Sequence, residues 1–364
     1  MNQETTAVKR SWKKPSGTTI ATMVIVVLML VGFIPSGFAV ERPGPVVNVL
    51  GEIELETGAV DVIESTDDGG FDTPGTLNLL TVSLIGTPER SASLFEIIPT
   101  FFDETQDRLP IEEVYPDNIT GDERKELSAA MMESSQSTAL IAAYAALGEE
   151  ITAELRVHDV AKGEASEGVL QADDVLVTAA GAPITSLDEF RALLTQRGAG
   201  NPIEIGIRRD GKMRTVTITP EQPADAEAPR IGVTLTQYAD IPDTVKIHLE
   251  DIGGPSAGLV FALGVIDRLT EEQLFDGLNV SGTGTMSADG TVGAIGGLKQ
   301  KMWAADRAGT DLFLMPLENC GQVPENVPSG LTVAPVGTLD EALSVVQEYQ
   351  NGTKPAGLEL CKAR

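Results

Sequence analysis

The chain has 364 residues, a length that suits two or three domains of ordinary size. Its hydrophobic content of 42% and charged content of 22% are ordinary globular values, which excludes global disorder. A formal net charge of −28 excludes a nucleic-acid partner, because neutralising phosphates requires a basic face.

The first forty residues separate charge from apolar character. Residues 1–17 hold four basic side chains and one acidic side chain, whereas residues 18–40 hold no charge. Such an apolar run approaches the roughly 20 residues that cross a bilayer. We therefore expect a cytoplasmic tail over 1–17 and a transmembrane helix or signal anchor over 18–40. This predicts a single-pass cell-membrane protein, in contact with the lipid bilayer and extracytoplasmic beyond the helix. A secreted protein, cleaved near Ala39, is the alternative.

Residues 41–147 predict a mixed α/β region. Alternating apolar residues over Val46–Leu55 and Leu77–Ile85 are typical of strands, and a turn-rich stretch from Ser65 separates them. Asp122–Leu147 is rich in alanine and methionine, which predicts one long helix with a kink or break. We expect the serines of this helix to lie on its surface or in packing positions.

Residues 148–220 predict a small sheet with one helix. Strand-like segments surround a helix predicted over Ser186–Gln196, and Asp210-Gly211 between two alternating strands indicates a hairpin. A helix against the edge of a small sheet leaves room for an extended peptide as an added strand. A purely structural α+β domain is the alternative.

The residues Leu170-Gln-Ala-Asp-Asp174-Val-Leu, the following Gly181 and the helix start at Ser186 resemble a PDZ domain over 148–220. The family pattern has glycine where this chain has Asp173. Aspartate adopts the left-handed conformation more readily than most residues, so the pattern tolerates it there.

The PDZ resemblance implies capture of a C-terminal or extended segment of a protein substrate. The capture site would lie between the strand near Leu155 to Val160 and the helix near Leu187 to Leu194. Residues 221–229 are rich in proline, alanine and acidic residues and indicate a linker. The last domain would therefore begin near Arg230.

A candidate nucleophile, Ser256, follows Gly254 and Pro255 and precedes a long apolar run. Proline is well placed at a helix start, because its missing N–H would be unpaired there in any case. We therefore expect Ser256 in the first turn of a helix, where free N–H groups and the helix dipole stabilise an oxyanion. The glycine would let a substrate backbone approach closely.

The base that activates this serine has few candidates. Only two histidines occur; His158 falls in the PDZ-like region, and His248, eight residues before Ser256, is kept as an alternative base. A desolvated lysine is the other choice, and Lys299 and Lys301 both follow a glycine pair. Because these lysines lie about 200° apart around a helix, only one can face the serine, and the other should be a solvated surface lysine.

Two motifs resemble the proteolytic domain of Lon peptidases over 230–348. They are Gly254-Pro255-Ser256-Ala257-Gly258 and Gly296-Gly297-Leu298-Lys299, with Ser256 and Lys299 43 positions apart. The resemblance implies Ser256 as nucleophile and Lys299 as base, with the hydroxyl of Ser281 orienting the lysine. Gly254 and Pro255 would support the serine. As a whole, the chain is similar to bacterial membrane-anchored PDZ-Lon proteins.

The predicted fold class is a multidomain α+β protein with an N-terminal transmembrane helix, a PDZ-like β domain, a Lon-type α/β proteolytic domain and a C-terminal tail over 349–364. The predicted function is a serine endopeptidase in protein quality control that needs no cofactor. The resemblance also implies a homo-oligomeric, hexameric ring. No phosphate-binding loop motif occurs, so any ATP dependence would require a separate ATPase. A catalytically inactive PDZ adaptor or scaffold is the alternative function.

The cysteines Cys320 and Cys361 lack metal-ligand spacing, which argues against a metal site. A bridge between them would close the C-terminal tail in an oxidising compartment. Two free thiols are the alternative.

Overall fold

The computed structural model describes most of the chain. The described residues are 16–55, 58–65, 71, 74–115, 120–149, 153–184, 186–223, 226, 228–239, 245–249 and 252–362. Most of the predicted basic tail, and the predicted turn-rich stretch after Ser65, therefore lie outside the described residues. The chain divides into two compact units, residues 1–40 with 84–120 and residues 41–83 with 121–364.

The helices within this described part are α1 (Gly17–Gly32), α2 (Leu94–Ile97), α3 (Ile111–Val114), α4 (Gly121–Ala146), α5 (Leu187–Arg197), α6 (Gly258–Leu269), α7 (Leu298–Arg307), α8 (Leu339–Gln350) and α9 (Glu359–Lys362). The strands are β1 (Phe38–Asn48), β2 (Glu52–Leu55), β3 (Gly58–Asp61), β4 (Ile63–Ser65), β5 (Thr76–Ile85), β6 (Asp107–Pro110), β7 (Ala153–Val160), β8 (Val175–Ala179), β9 (Ala182–Pro183), β10 (Ile203–Arg209), β11 (Lys212–Ile218), β12 (Val233–Ala239), β13 (Val245–Ile247), β14 (Asn279–Gly282), β15 (Thr285–Met286), β16 (Val292–Gly293), β17 (Leu312–Pro316) and β18 (Thr332–Val336).

The apolar N-terminal segment forms helix α1, which belongs to the smaller unit. The predicted transmembrane helix over 18–40 is wrong: among the described residues, no helix is long and apolar enough to cross a membrane. Helix α1 has 16 residues and would span about 24 Å, less than the roughly 30 Å of a bilayer core. Proline at position 35 and a left-handed Gly37 follow it, and the chain then enters β1 instead of continuing the helix. The predicted single-pass membrane location is contradicted with it.

The larger unit contains a sheet with the order β18-β17-β14-β5-β1. Strand β14 pairs in parallel with both β5 and β17, and β17 pairs in parallel with β18. Helix α6 is apolar around most of its circumference, and its described residues up to Arg268 are buried. A helix of this kind belongs in the centre of a domain.

The core of this unit joins segments that are far apart in the sequence. One hydrophobic cluster contains Leu77 of β5, Ala139 of α4, Leu263 of α6 and Leu314 of β17. The predicted long helix over Asp122–Leu147 is confirmed as α4, which runs from residue 121 to 146 without the predicted break. Helix α4 packs against α6, so this part of the predicted α/β region contributes directly to the core around Ser256.

A second sheet, with the order β11-β10-β8-β7-β12, matches the elements predicted for residues 148–220. Ser186 caps α5 by accepting a hydrogen bond from the N–H of Glu189 at 3.2 Å. The Asp210-Gly211 hairpin is confirmed, with both residues at positive φ, and Asp173 is left-handed at φ 69°. Strand β12 pairs with β7 on the outer side of this sheet, so residues that follow the predicted linker extend the sheet.

Cys320 and Cys361 form a disulfide bond. It joins the 3₁₀ turn Leu317–Gln322 to the short helix α9, and Cys361 packs against a hydrophobic cluster that includes Met302 and Phe313. The bridge therefore fastens the C-terminal tail to the unit that contains Ser256.

Candidate active site

Ser256 lies in a turn immediately before helix α6. The helix begins at Gly258 with Ala257 as its N-cap residue, so the serine is two residues before the first turn in which it was predicted. The carbonyl oxygen of Ser256 accepts hydrogen bonds from the N–H of Gly284 at 2.9 Å and from Oγ1 of Thr283 at 3.1 Å. These bonds hold the serine backbone at the positive end of a buried helix.

The side chain that reaches Ser256 is Lys301. Its Nζ donates hydrogen bonds to Oγ of Ser256 at 2.7 Å and to Oγ1 of Thr283 at 3.0 Å. The lysine is only 3% exposed. The structure therefore brings the half-buried serine hydroxyl together with a buried lysine amine and a buried threonine hydroxyl.

The electrostatics of this cluster make the neutral form of the lysine easier to reach. Burial lowers the pKa of Lys301 to about 8, and the negative charge of Glu41 partly opposes that shift. Burial acts in this direction because the charged ammonium loses its hydration. About one lysine in ten is then neutral at pH 7, which is the protonation state that a general base requires.

The two lysines occupy the opposite positions from those predicted. Lys299, predicted to face the serine, lies half-exposed on the other side of α7, and the predicted surface residue Lys301 is buried. Helical phase explains the exchange: Leu298 and Ala305, three residues before and four residues after Lys301, are both buried. This apolar pattern is visible in the sequence, and it would have selected Lys301.

The hydroxyl that contacts the lysine also belongs to a different residue from the one predicted. Ser281, expected to orient the lysine, lies fully buried in β14, where its Oγ shares a 2.6 Å hydrogen bond with Oγ1 of Thr310. Thr283, two residues later, contacts the lysine instead. The chain has left β14 at this point, so it can turn toward Ser256. The sequence reasoning missed Thr283, although it lies only two residues after Ser281.

The alternative base, His248, is engaged elsewhere. Its Nε2 lies 2.8 Å from a carboxylate oxygen of Glu64, across the pairing of β4 and β13. The oxygen of Ser256 contacts Lys301, so the geometry supports the lysine and not the histidine as its partner.

Gly254 and Pro255, predicted to support Ser256, are both bound to helix α4. The N–H of Gly254 donates to the carbonyl of Ser128 at 2.9 Å, and φ of this glycine is 95°, a conformation that glycine adopts without strain. Oγ of Ser135 donates to the carbonyl of Pro255 at 3.0 Å. A Cβ atom on the preceding Gly253 would lie 2.4 Å from Oγ of Ser128, so the close approach of α4 excludes any larger residue there.

A groove of about 650 Å³ is lined at one end by Pro255, the residue before the serine. Its walls are α4, α5 and the edge strand β12, and it extends to Pro255 and to the segment Thr285–Ser287. The peptide-capture site was predicted beside Leu155 to Val160 of β7. In the structure β7 pairs with β8 on one side and β12 on the other, so no additional strand can pair with β7.

The described part of the chain contains no cluster of three or more histidine, cysteine or acidic side chains suited to a metal ion. Around Ser256 the structure places a lysine amine against a serine hydroxyl, an arrangement that suits nucleophilic catalysis.

Comparison with known families identifies two regions. Residues 229–348 match the C-terminal proteolytic domain of Lon protease (S16), and residues 132–219 match the PDZ domain family. These matches confirm both domain types that the sequence motifs predicted. The PDZ match begins inside α4, whose residues belong to the core around α6, and the Lon match begins before β12, which packs with the second sheet. The boundaries of the two family matches therefore do not coincide with the boundaries of the two hydrophobic cores.

Individual relatives agree with the Lon match. The chain is 37% identical over 98 residues to a Lon protease of Buchnera aphidicola subsp. Schizaphis graminum, covering 26% of this chain and 12% of that protein. It is 35% identical over 144 residues to the Lon protease of Haemophilus influenzae, covering 38% and 17%. This chain therefore spans less than a fifth of the length of these relatives.

Among solved structures, the PDZ domain of an SdrC-like protein from Listeria monocytogenes is 23% identical. The match covers 22% of this chain and 85% of that chain, with a TM-score of 0.21. The two family matches by themselves identify a serine-type peptidase domain of the Lon type over 229–348 and a PDZ domain match over 132–219.

Proposed function

We propose that this chain is a serine endopeptidase in which Ser256 is the nucleophile, Lys301 is the general base and Thr283 orients the lysine. The observation that carries this proposal is the 2.7 Å contact between Nζ of Lys301 and Oγ of Ser256 in a buried site. The lysine replaces the Lys299 of the sequence-based hypothesis.

The hydrogen-bond directions favour proton transfer from serine to lysine. Thr283 uses its hydroxyl hydrogen on the carbonyl of Ser256, so its oxygen can only accept from Lys301. A neutral amine that donates one N–H to Thr283 can turn its lone pair toward the hydroxyl of Ser256. The lysine then takes the serine proton as Oγ attacks a peptide carbonyl, and it returns that proton to the leaving amine.

The tetrahedral intermediate needs donors for its negative oxygen. The backbone N–H groups of Ser256 and Ala257 lie where the chain enters α6, at the positive end of the helix dipole. We assign the oxyanion site to these N–H groups. A water molecule, activated by the neutral lysine, would then hydrolyse the acyl-enzyme.

The groove beside the site supports a substrate-selecting role for the PDZ-type residues. Strand β12 is the last strand of its sheet in the described part of the chain, and α4 and α5 line the groove beside it, so an extended peptide could bind between them. The same groove reaches Pro255, next to Ser256. A captured protein tail would therefore lie one residue away from the reacting serine.

The nucleophile is tested with a serine-reactive fluorophosphonate and an unfolded protein substrate. Ser256→Ala and Lys301→Ala should abolish labelling and cleavage, whereas Lys299→Ala, on the same helix, should keep both. A wild-type chain that neither labels nor cleaves would favour the inactive scaffold. An inactive Lys299→Ala variant together with an active Lys301→Ala variant would restore the base that was first predicted.

The groove is tested with a matched pair of leucines on α5. Leu187 lines the groove, whereas Leu193 packs against the same core without lining it. Leu187→Glu should raise KM for a protein with an unfolded C-terminal tail and leave kcat/KM for a short peptide unchanged. Equal effects of Leu187→Glu and Leu193→Glu on the tailed substrate would contradict a role of the groove in selection.

A further inference from the structure

Helix α4 contacts the loop before Ser256 at consecutive points. Besides the Ser128 and Ser135 contacts with Gly254 and Pro255, Nε2 of Gln136 donates to the carbonyl of Leu249 at 3.4 Å. This helix lies more than a hundred positions before the serine in the sequence, and it carries none of the groups assigned to the reaction.

The contact made by Ser135 bears most directly on the nucleophile. Its Oγ donates to the carbonyl of Pro255, which shares a planar peptide group with the N–H of Ser256. In a trans peptide the carbonyl and the N–H point in opposite directions, so fixing the oxygen fixes the direction of the Ser256 N–H. Ser135 is only 5% exposed, which keeps water from competing for this bond.

The other side of Ser256 is held independently. Thr283 and Gly284 both donate to the Ser256 carbonyl, so the peptide groups before and after the residue are each bound. A Cβ on Gly258 would lie 3.1 Å from Oγ of Ser135 and 2.7 Å from Cβ of Met286, so the first turn of α6 is closely packed between them. With both peptide groups bound, the serine has little freedom except at its side-chain torsion.

We propose that Ser135 is a positioning residue for the reaction, holding the Pro255–Ser256 peptide so that the Ser256 N–H faces the oxyanion while Oγ stays on Lys301. This inference rests on the proposed peptidase function. Removing the hydroxyl frees the Pro255 carbonyl to rotate, and misplacing a reacting group by about 1 Å can lower the rate by about a hundredfold. Ser135 also lines the groove, so the rate is measured on a short peptide. There the effect should appear in kcat, because the bond from Ser135 orients the Pro255–Ser256 peptide of the protein and not the substrate.

The test compares Ser135→Ala with Ser137→Ala, a second serine of α4, and with Ser135→Thr, which keeps a hydroxyl. We expect Ser135→Ala to lower kcat on a short peptide by about ten- to a hundredfold, with KM changed less than twofold. Fluorophosphonate labelling of Ser256 should slow in parallel. Ser137→Ala should match the wild type, and Ser135→Thr should recover most of the rate. Labelling rates are taken per folded molecule, with the folded fraction measured by circular dichroism.

The outcomes separate this inference from the proposed function. A wild-type chain without labelling would overturn the peptidase itself. A labelled wild type with equal rates for Ser135→Ala and Ser137→Ala would overturn only the positioning role. A Ser135→Ala variant that melts earlier but labels at the wild-type rate per folded molecule would show a purely structural bond.

Discussion

Replacing Lys301 by methionine should make the protein more stable while abolishing its activity. The lysine is a buried amine whose ammonium form has lost its hydration, which lowers its pKa to about 8 from the usual 10.5. Methionine has a similar length and no charge to desolvate. Lys299→Met, on the exposed side of the same helix, is the control.

The magnitude follows from the pKa difference between the folded and unfolded chain. A shift of about 2.5 units corresponds to about 3.4 kcal/mol, which the folded state loses while the lysine is charged. The variant also loses two hydrogen bonds, to Ser256 and Thr283, each contributing about 1 kcal/mol. The net gain for Lys301→Met at pH 7 is therefore about 1 to 2 kcal/mol.

The pH dependence of the stability difference distinguishes desolvation of the lysine from better packing of the methionine. Below pH 8 the lysine is charged in both states, so its full cost is present. Between pH 8 and 10.5 the unfolded state binds more protons than the folded state, so wild-type stability rises with pH relative to the variant. The advantage of Lys301→Met should therefore shrink above pH 8.

The assay is urea unfolding of wild type, Lys301→Met and Lys299→Met between pH 6 and 10. In parallel, the wild-type kcat/KM should rise with pH with a midpoint of about 8, because only the neutral lysine accepts the serine proton. A Lys301→Met variant less stable than wild type at pH 7 would refute the burial argument. A pH-independent difference would refute it equally, and so would a rate that falls as the pH rises through 8.

Three further outcomes are expected. In steady-state kinetics, Thr283→Ala should lower kcat about tenfold, whereas Thr283→Ser should retain most of the wild-type kcat. Ser281→Ala should lower the free energy of unfolding, measured with urea, by about 1 kcal/mol with little loss of rate. Cys320→Ser should lower the free energy of unfolding by up to about 4 kcal/mol, because the disulfide closes a loop of 41 positions. A reducing agent should produce the same loss in the wild type. If neither change lowers stability, the disulfide does not form. Gly253→Ala should slow fluorophosphonate labelling because its Cβ would lie 2.4 Å from Oγ of Ser128, and adding Ser128→Gly should restore part of the rate; a variant that labels normally by itself would contradict the close packing of α4.

Much of the site was predictable because its signals are local. The sequence Gly254-Pro255-Ser256 places a serine beside a helix start, and the scarcity of histidines directs attention to lysine. The hairpin at Asp210-Gly211 and the left-handed Asp173 are likewise properties of a few neighbouring residues. Local backbone preferences of this kind act before any distant contact forms.

The face of a helix on which a residue lies can be predicted from neighbours up to one turn away, which is neither a strictly local signal nor a distant contact. Choosing between Lys299 and Lys301 required the apolar neighbours on the α7 surface, and the buried Leu298 and Ala305 provide them. The prediction of a transmembrane helix in the N-terminal segment was wrong for a different reason. A run of uncharged residues over 18–40 states only that the segment is apolar, whereas the backbone at Pro35 and Gly37 determines where helix α1 ends.

The sequence by itself therefore predicted Ser256 beside a helix start, the two domain types, helix α4 and the main elements of the second sheet. Only the tertiary structure decided which lysine and which hydroxyl meet Ser256, and that helix α4 supports the loop before it. It also decided that β12 rather than β7 borders the groove. The physical reason is that these contacts join segments separated by tens to more than a hundred positions, and their partners are selected by packing around one shared core, which no local pattern specifies.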